Sequence, residues 1–268
     1  VACHTFPEGN KSGPPSAPSL VKLKTEGDPG CLSERPVGGL VPFYGLDTVQ
    51  KRAISNALAR INEEKEWNPV VQLDWRLMSL NCYACHERSG KGGPEFAREI
   101  YFPAEGEKVH ELGRWGSIPP ALDLVGAKLT DHWFEKILQS HDPDREVRPY
   151  MTTRMPLFRK DDVIPVVNLF RGLDSFPPLT AVKKTEPVDK TVMADCLQCH
   201  PVGDRDSANL PGINLALTPK RLQEDWCVEL MKDPQAIHPG TPMPRVERSE
   251  SEIRGILEYL KANYPPKK

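Results

Sequence analysis

The sequence predicts an all-α protein built as tandem small helical units. Three observations carry that expectation. A pentapeptide with two cysteines and a histidine occurs twice, as "CYACH" at Cys82 to His86 and "CLQCH" at Cys196 to His200. The segments that follow each copy rhyme in the same order. Neither copy is preceded by a strand pattern.

The elements can be justified in chain order. Each copy opens on a helix-like run, "VVQLDWRLMSLNC" before the first pair and "EPVDKTVMADC" before the second. After a loop come "PPALDLVGAKLTDHWFEKIL" and "LPGINLALTPKRLQEDWCVELM", which align so that Trp133 matches Trp226 and each enters an apolar helical pattern. A proline-rich turn follows, "RPYMTTRMPLF" in one repeat and "HPGTPMPRV" in the other, pairing Met155 with Met243. Each repeat closes on a helix: "KDDVIPVVNLFRGL" in the first and "RSESEIRGILEYLKANY" in the second, where Ser249 and Glu252 have capping-box spacing. The stretch from Ser175 to Pro187 has the proline content and aperiodicity of a linker. These boundaries give a domain at 67–178, with an insertion at 88–117, and a second domain at 179–268.

Composition narrows the function classes. Lys and Arg number 35 against 37 Asp and Glu, so nothing calls for nucleic acid as a partner. The longest apolar stretch, Val163 to Phe170, is broken by Pro165 and Asn168 and falls far short of the roughly 20 residues of a bilayer span, so no transmembrane segment is expected. Val1 reads as a processed or trimmed start. The 28 prolines are about twice the usual share of about 5%, so much of the chain is loop and something other than chain is expected to fill its core.

Chemistry then separates three readings of C-x-x-C-H. On one helical turn the two thiols can add to the vinyl groups of a single porphyrin while the next residue, His86 or His200, faces the iron; this is the signature of c-type haem attachment. A zinc site would want two cysteine pairs about 15 to 20 residues apart; here 110 residues separate Cys85 from Cys196, so zinc survives only if the fold gathers the pairs. A thiol switch would want a βαβ context, which is missing. Iron held by histidine on one face accepts a thioether on the other, a pairing that raises the reduction potential. Met155 and Met243, each beside a proline and at matching places, are the candidate sixth ligands, with Met151 in reserve. The alternative is that they fill core gaps.

Cys82 to His86 with Met155, and Cys196 to His200 with Met243, together with their flanking helices, resemble two tandem class I cytochrome c domains over about residues 68–268. The resemblance implies a few helices wrapped around each covalently bound haem c, with the porphyrin supplying core and Trp133 and Trp226 packing beside it. It also implies that each proximal histidine is steadied by a backbone carbonyl, for which Pro119 or Pro120, and Pro211, are the matching positions. Met78 and Met193 would pack against haem edges. His110, His132, His141 and His238 read as surface or loop histidines, and Cys227 as a small buried residue.

Residues 1–66 suggest a degenerate or truncated third module. Cys3 and His4 stand as the second half of an attachment motif, which would add a third haem held at Cys3 with His4 as its ligand. A Cys3 to Cys31 disulfide or an unliganded extension are the alternatives. "YGLDTVQKRAISNALARI" has the spacing of a closing helix.

The expected function is a multihaem c-type cytochrome that carries single electrons between redox partner proteins, with no substrate turned over. The alternatives are a multihaem peroxidase-like oxidoreductase, for which only the N-terminal module could offer an open iron, or a cytochrome subunit of a larger oxidoreductase. Haem attachment of this kind implies export to the periplasm or the cell exterior.

Overall fold

The molecule is mostly helical, and among the described residues its one sheet is a hairpin of two-residue strands. The computed structural model describes residues 30–35, 41–60, 67–106, 108–141, 147–176, 185–186, 188 and 190–265. Cys3, His4 and most of the 175–187 linker lie outside them, and so does the proposed Cys3 to Cys31 pairing. The chain divides into two units, Val1–Gln72 and Leu73–Lys268; apart from residues 67–72 of the first, both repeats fall in the second.

In the first unit the expected helix forms as α1 (Thr48–Ala59). Asp47 caps it: its carboxylate accepts from the Gln50 N–H at 2.8 Å, while the Gln50 side chain accepts from the Asp47 N–H at 3.0 Å.

Helix α2 (Pro69–Ser79) runs into the second unit and buries Leu73 and Leu77, spaced i and i+4 on one face. It ends where Asn81 takes a left-handed conformation, φ 59°, which asparagine tolerates better than most residues. The opening of the second repeat differs from expectation. It is only a 3-10 turn, Lys190–Met193, because Pro187 and the β-branched Thr191 and Val192 leave too few good helix formers to close several turns. The first cysteine turn is followed by the antiparallel hairpin β1 (Glu87–Arg88) and β2 (Lys91–Gly92). The rest of the 88–117 insertion is short turns of helix at Phe96–Tyr101, Val109–Leu112 and Arg114–Ser117.

The middle helices are α3 (Asp131–Gln139) and α5 (Glu224–Lys232), and the closing helices are α4 (Lys160–Leu173) and α6 (Glu250–Asn263). The boundaries of the middle pair are equivalent: 224 − 131 and 232 − 139 are both 93. The same offset relates the one-turn helices Val125–Lys128 and Thr218–Arg221 just before them. The capping box of α6 forms as its spacing predicts, with Ser249 Oγ accepting from the Glu252 N–H and Glu252 accepting from the Ser249 N–H.

The cores follow the same plan. In the first repeat Leu73 and Leu77 of α2 meet Val125, Phe134 of α3, and Val166 and Phe170 of α4. In the second, Trp226, Cys227 and Val228 of α5 meet Ile253 and Leu257 of α6, while Met193 meets Val202, Ile256 and Leu260. Glycine allows the closest crossings: a Cβ on Gly126 would overlap the carbonyl of Phe170, and one on Gly255 the carbonyl of Glu186. One buried ion pair locks the hairpin to the end of α4. Arg88 donates to Asp174 at 2.6 Å and to the Leu122 carbonyl at 2.6 Å, and Asp174 also accepts the Gly126 N–H at 2.9 Å.

The repeats meet edge to edge at equivalent residues. Leu129 and Leu222 form an isolated antiparallel bridge. The Thr130 N–H donates to the Arg221 carbonyl and the Gln223 N–H to the Lys128 carbonyl, each at 2.9 Å. Since 221 − 128, 222 − 129 and 223 − 130 are all 93, this contact is a local pseudo-two-fold.

Candidate functional site

The two pentapeptides fold alike. Cys82–Ala84 and Cys196–Gln198 are single 3-10 turns, each ending in a cysteine with φ −122°. The first cysteine's carbonyl accepts from the second cysteine's N–H, at 3.2 Å in one copy and 3.1 Å in the other. It also accepts from the histidine's N–H, at 2.9 and 2.8 Å. The turn therefore draws the i and i+3 cysteines together and hands the chain on to the histidine.

Each histidine is then fixed by its ring. His86 Nδ1 lies 2.7 Å from the carbonyl of Pro120, and His200 Nδ1 lies 2.9 Å from that of Ile213. A carbonyl only accepts, so Nδ1 carries the proton and Nε2 keeps its lone pair. Burial holds both rings below the usual imidazole pKa, against the opposing effect of that carbonyl bond; Arg148 beside His86 and Arg221 beside His200 push further down. Both are therefore neutral imidazoles with one nitrogen free for a metal, oriented as metal-bound histidines are. Gly212 packs flush on the second ring, where a Cβ would stand 2.7 Å from Nδ1.

Pro120 was one of the two positions expected to steady His86. For His200 the expected Pro211 is replaced by Ile213, because the loop is registered by other bonds. The Leu122 N–H donates to Glu87, next after His86, and the Leu215 N–H donates to Pro201, next after His200. Pro120 and Ile213 each stand two residues before that anchor, again 93 apart.

The cysteines are free thiols, half-buried at 82, 85, 196 and 199. Burial pushes the Cys82 thiol up to about 11 and raises Cys85 and Cys196 as well. A thiol switch needs a lowered pKa, so these turns are not poised as one. Among the described residues no group of three or more His, Cys, Asp or Glu side chains is gathered to hold a metal, so the two pairs do not combine in a zinc clasp.

Met155 and Met243 are half-buried on segments without regular secondary structure, and backbone bonds give those segments equivalent places. The Phe158 N–H donates to the carbonyl of Leu138 at 2.8 Å, and the Val246 N–H to that of Met231 at 3.0 Å. Leu138 and Met231 are the 93-offset pair on the middle helices, and each methionine stands three residues before the donor. Met151 is buried, with its sulfur 3.9 Å from Arg148. Met193 is buried against Ile256 and Leu260, whereas Met78 is 59% exposed, on the side of α2 away from Leu73 and Leu77. Trp133, Trp226 and Cys227 are buried. His110, His132 and His141 are exposed. His238 is half-buried instead, with its ring edge-on to Trp226 at 5.9 Å.

The motifs singled out none of three cations that act on these histidines or on one another: Lys128, Arg148 and Arg221. The signal was present, since Lys128 and Arg221 are the equivalent basic residues of "KLTDHW" and "RLQEDW". No helix among the described residues is long and apolar enough to cross a membrane. No protein-family model, no curated protein and no solved structure matches the chain.

Proposed function

We propose that residues 67–268 form a two-haem c-type cytochrome unit, two tandem cytochrome c domains in all, that passes single electrons between redox partner proteins outside the cytoplasm. The observation that supports it best is the orientation of His86 and His200. Each is a neutral imidazole, buried at 86 and half-buried at 200, with Nδ1 spent on a backbone carbonyl and Nε2 free, at the end of a turn that presents two thiols.

The residues present fit haem c. Cys82 and Cys85 would hold one group through thioethers and Cys196 and Cys199 the other; His86 and His200 would supply an imidazole to each iron, and Met155 and Met243 a thioether. When bound, haem supplies a one-electron ferric/ferrous couple whose potential the methionine raises. The chain's own work is to keep each imidazole in one tautomer, to exclude water with Trp133, Trp226 and the closing helices, and to supply the thioether.

Intact-mass measurement of the purified protein tests this directly. Two covalent haems must appear on residues 67–268, and substituting Cys196→Ala with Cys199→Ala must remove one. Protein that carries no haem after expression with a functional attachment machinery would end the proposal.

A further inference from the structure

The 88–117 insertion has no counterpart in the second repeat: His86 and Pro120 stand 34 residues apart, His200 and Ile213 only 13. Its middle segment is bonded to the strap that leads to Met155. The Glu105 N–H donates to the Tyr150 carbonyl at 2.8 Å and the Thr152 N–H to the Pro103 carbonyl at 3.3 Å, so Ala104 and Met151 stand opposite each other in an isolated antiparallel bridge. Thr152 and Thr153 add their hydroxyls, donating to the carbonyls of Pro103 (3.3 Å) and Tyr101 (2.8 Å). Just upstream, Arg148 donates to the carbonyls of Gly116 (3.5 Å) and Ile118 (2.8 Å), where the insertion ends. The side chains of Phe102 and Met151 are buried, so the paired backbones cannot peel apart without exposing apolar surface.

The second repeat holds its strap by another device. Gln235 Nε2 donates to the Thr241 carbonyl at 2.6 Å, Gln235 Oε1 accepts the Gly240 N–H at 2.9 Å, and Thr241 Oγ1 accepts the Met243 N–H at 3.3 Å. All of these groups belong to the turn just upstream of Met243. In the first repeat the partners come from 49 to 52 residues upstream. A surface insertion costs a fold little and needs no fixed register, yet this one has a register, and it is set against the strap. What restrains residues 150–153 restrains the sulfur at 155, as outer contacts orient a ligand.

We infer that the 88–117 insertion is a clamp for the methionine strap of the first repeat, with the 103–105 backbone and Thr153 as its positioning groups. This rests on the haem reading above and deepens it: the two straps open independently, the first when the pairing of 103–105 with 150–152 parts and the second when Gln235 lets go. Thr153 acts through the strap, so it positions the thioether and does not ligate.

The test uses the holoprotein, after intact mass has shown two haems, so failure of the haem reading is seen first and separately. Imidazole is titrated into the ferric protein, and its displacement of each thioether is followed by loss of the sulfur-to-iron absorption band; the apparent affinity scales with the fraction of open strap. Glu105→Pro deletes the N–H that Tyr150 accepts, and Thr153→Val deletes the hydroxyl that reaches Tyr101. We expect each to tighten imidazole binding about 2- to 10-fold at one haem, the range that one net hydrogen bond supports. Glu105→Ala keeps the N–H and Thr153→Ser keeps the hydroxyl, so both should titrate like wild type, which separates these bonds from a general loss of fold. Gln235→Leu should loosen the other haem, and its effect should add to that of Glu105→Pro. Amide hydrogen exchange gives a readout that does not depend on the sixth ligand: Glu105 and Thr152 should be protected in wild type, and Thr152 should lose protection in Glu105→Pro. Unchanged imidazole affinity at both haems in Glu105→Pro and Thr153→Val would overturn the inference. So would equal loosening of both haems by Glu105→Pro, or unprotected Glu105 and Thr152 amides in wild type.

Discussion

Met243 and Met155 are three residues upstream of equivalent backbone bonds to the middle helices, so their sulfurs are carried by the same kind of strap. If each is the sixth ligand, replacing Met243 with Ala removes a soft donor that favours the ferrous state. The potential of one haem should fall while the other moves little, and the weak sulfur-to-iron absorption band should lose about half its intensity, given two equivalent haems. Potentiometric titration followed by visible spectroscopy checks this. An unmoved potential in Met243→Ala would assign the ligand elsewhere, and Met155→Ala compared with Met151→Ala decides the first repeat in the same way. At this scale the sequence was highly informative: thiols, histidines and methionines announce themselves by type and spacing. Ile213 did not, because it acts through its carbonyl, and a carbonyl leaves no trace in residue identity.

Helices were legible wherever apolar period and capping agreed. The middle and closing helices, α1, and the Ser249 capping box all formed where their patterns placed them, since the middle and closing helices each have an apolar stripe to bury and α1 has the Asp47 cap to satisfy its first free N–H groups. What could not be read was the content of the 88–117 insertion, whose hairpin depends on a partner far along the chain. Arg88, 13% exposed, pairs with Asp174, 4% exposed, 86 residues later and past the end of α4. Asp174 also accepts the Gly126 N–H, so one carboxylate ties hairpin, one-turn helix and closing helix together. Replacing it with Ala strands a buried guanidinium and an amide, and breaking such a pair costs about 3 to 5 kcal/mol. Asp174→Ala should therefore lower the urea midpoint strongly with the slope unchanged. A loss below about 1 kcal/mol, the range of exposed pairs, would show that water reaches the pair and that the hairpin is held by other contacts.

At the scale of the whole molecule, the internal duplication was legible from rhyme alone, but its geometric consequence was not. The equivalent segments at 128–130 and 221–223 face each other and bring like charges into one place, an arrangement that local pattern would never recommend. That charge makes the junction testable through stability. Burial, with Arg221 and Arg148 adding to it, pulls the Lys128 ammonium down to about 7 from an unfolded value of about 10.4. His238, itself lowered to about 4 by burial and by Lys128 and Arg148, is neutral in this range. The buried Cys227 thiol, raised to about 12, stays protonated in the fold. The unfolded chain therefore binds more protons at this lysine than the folded one between about pH 7 and 10, and this group makes stability climb as pH rises through that window. We expect the urea midpoint to rise from pH 7 to about 8, before most unfolded thiols titrate, and to stay nearly level over that interval in Lys128→Met. A wild-type midpoint that stays level across this interval would mean that a counter-charge at the junction holds Lys128 protonated in the folded protein.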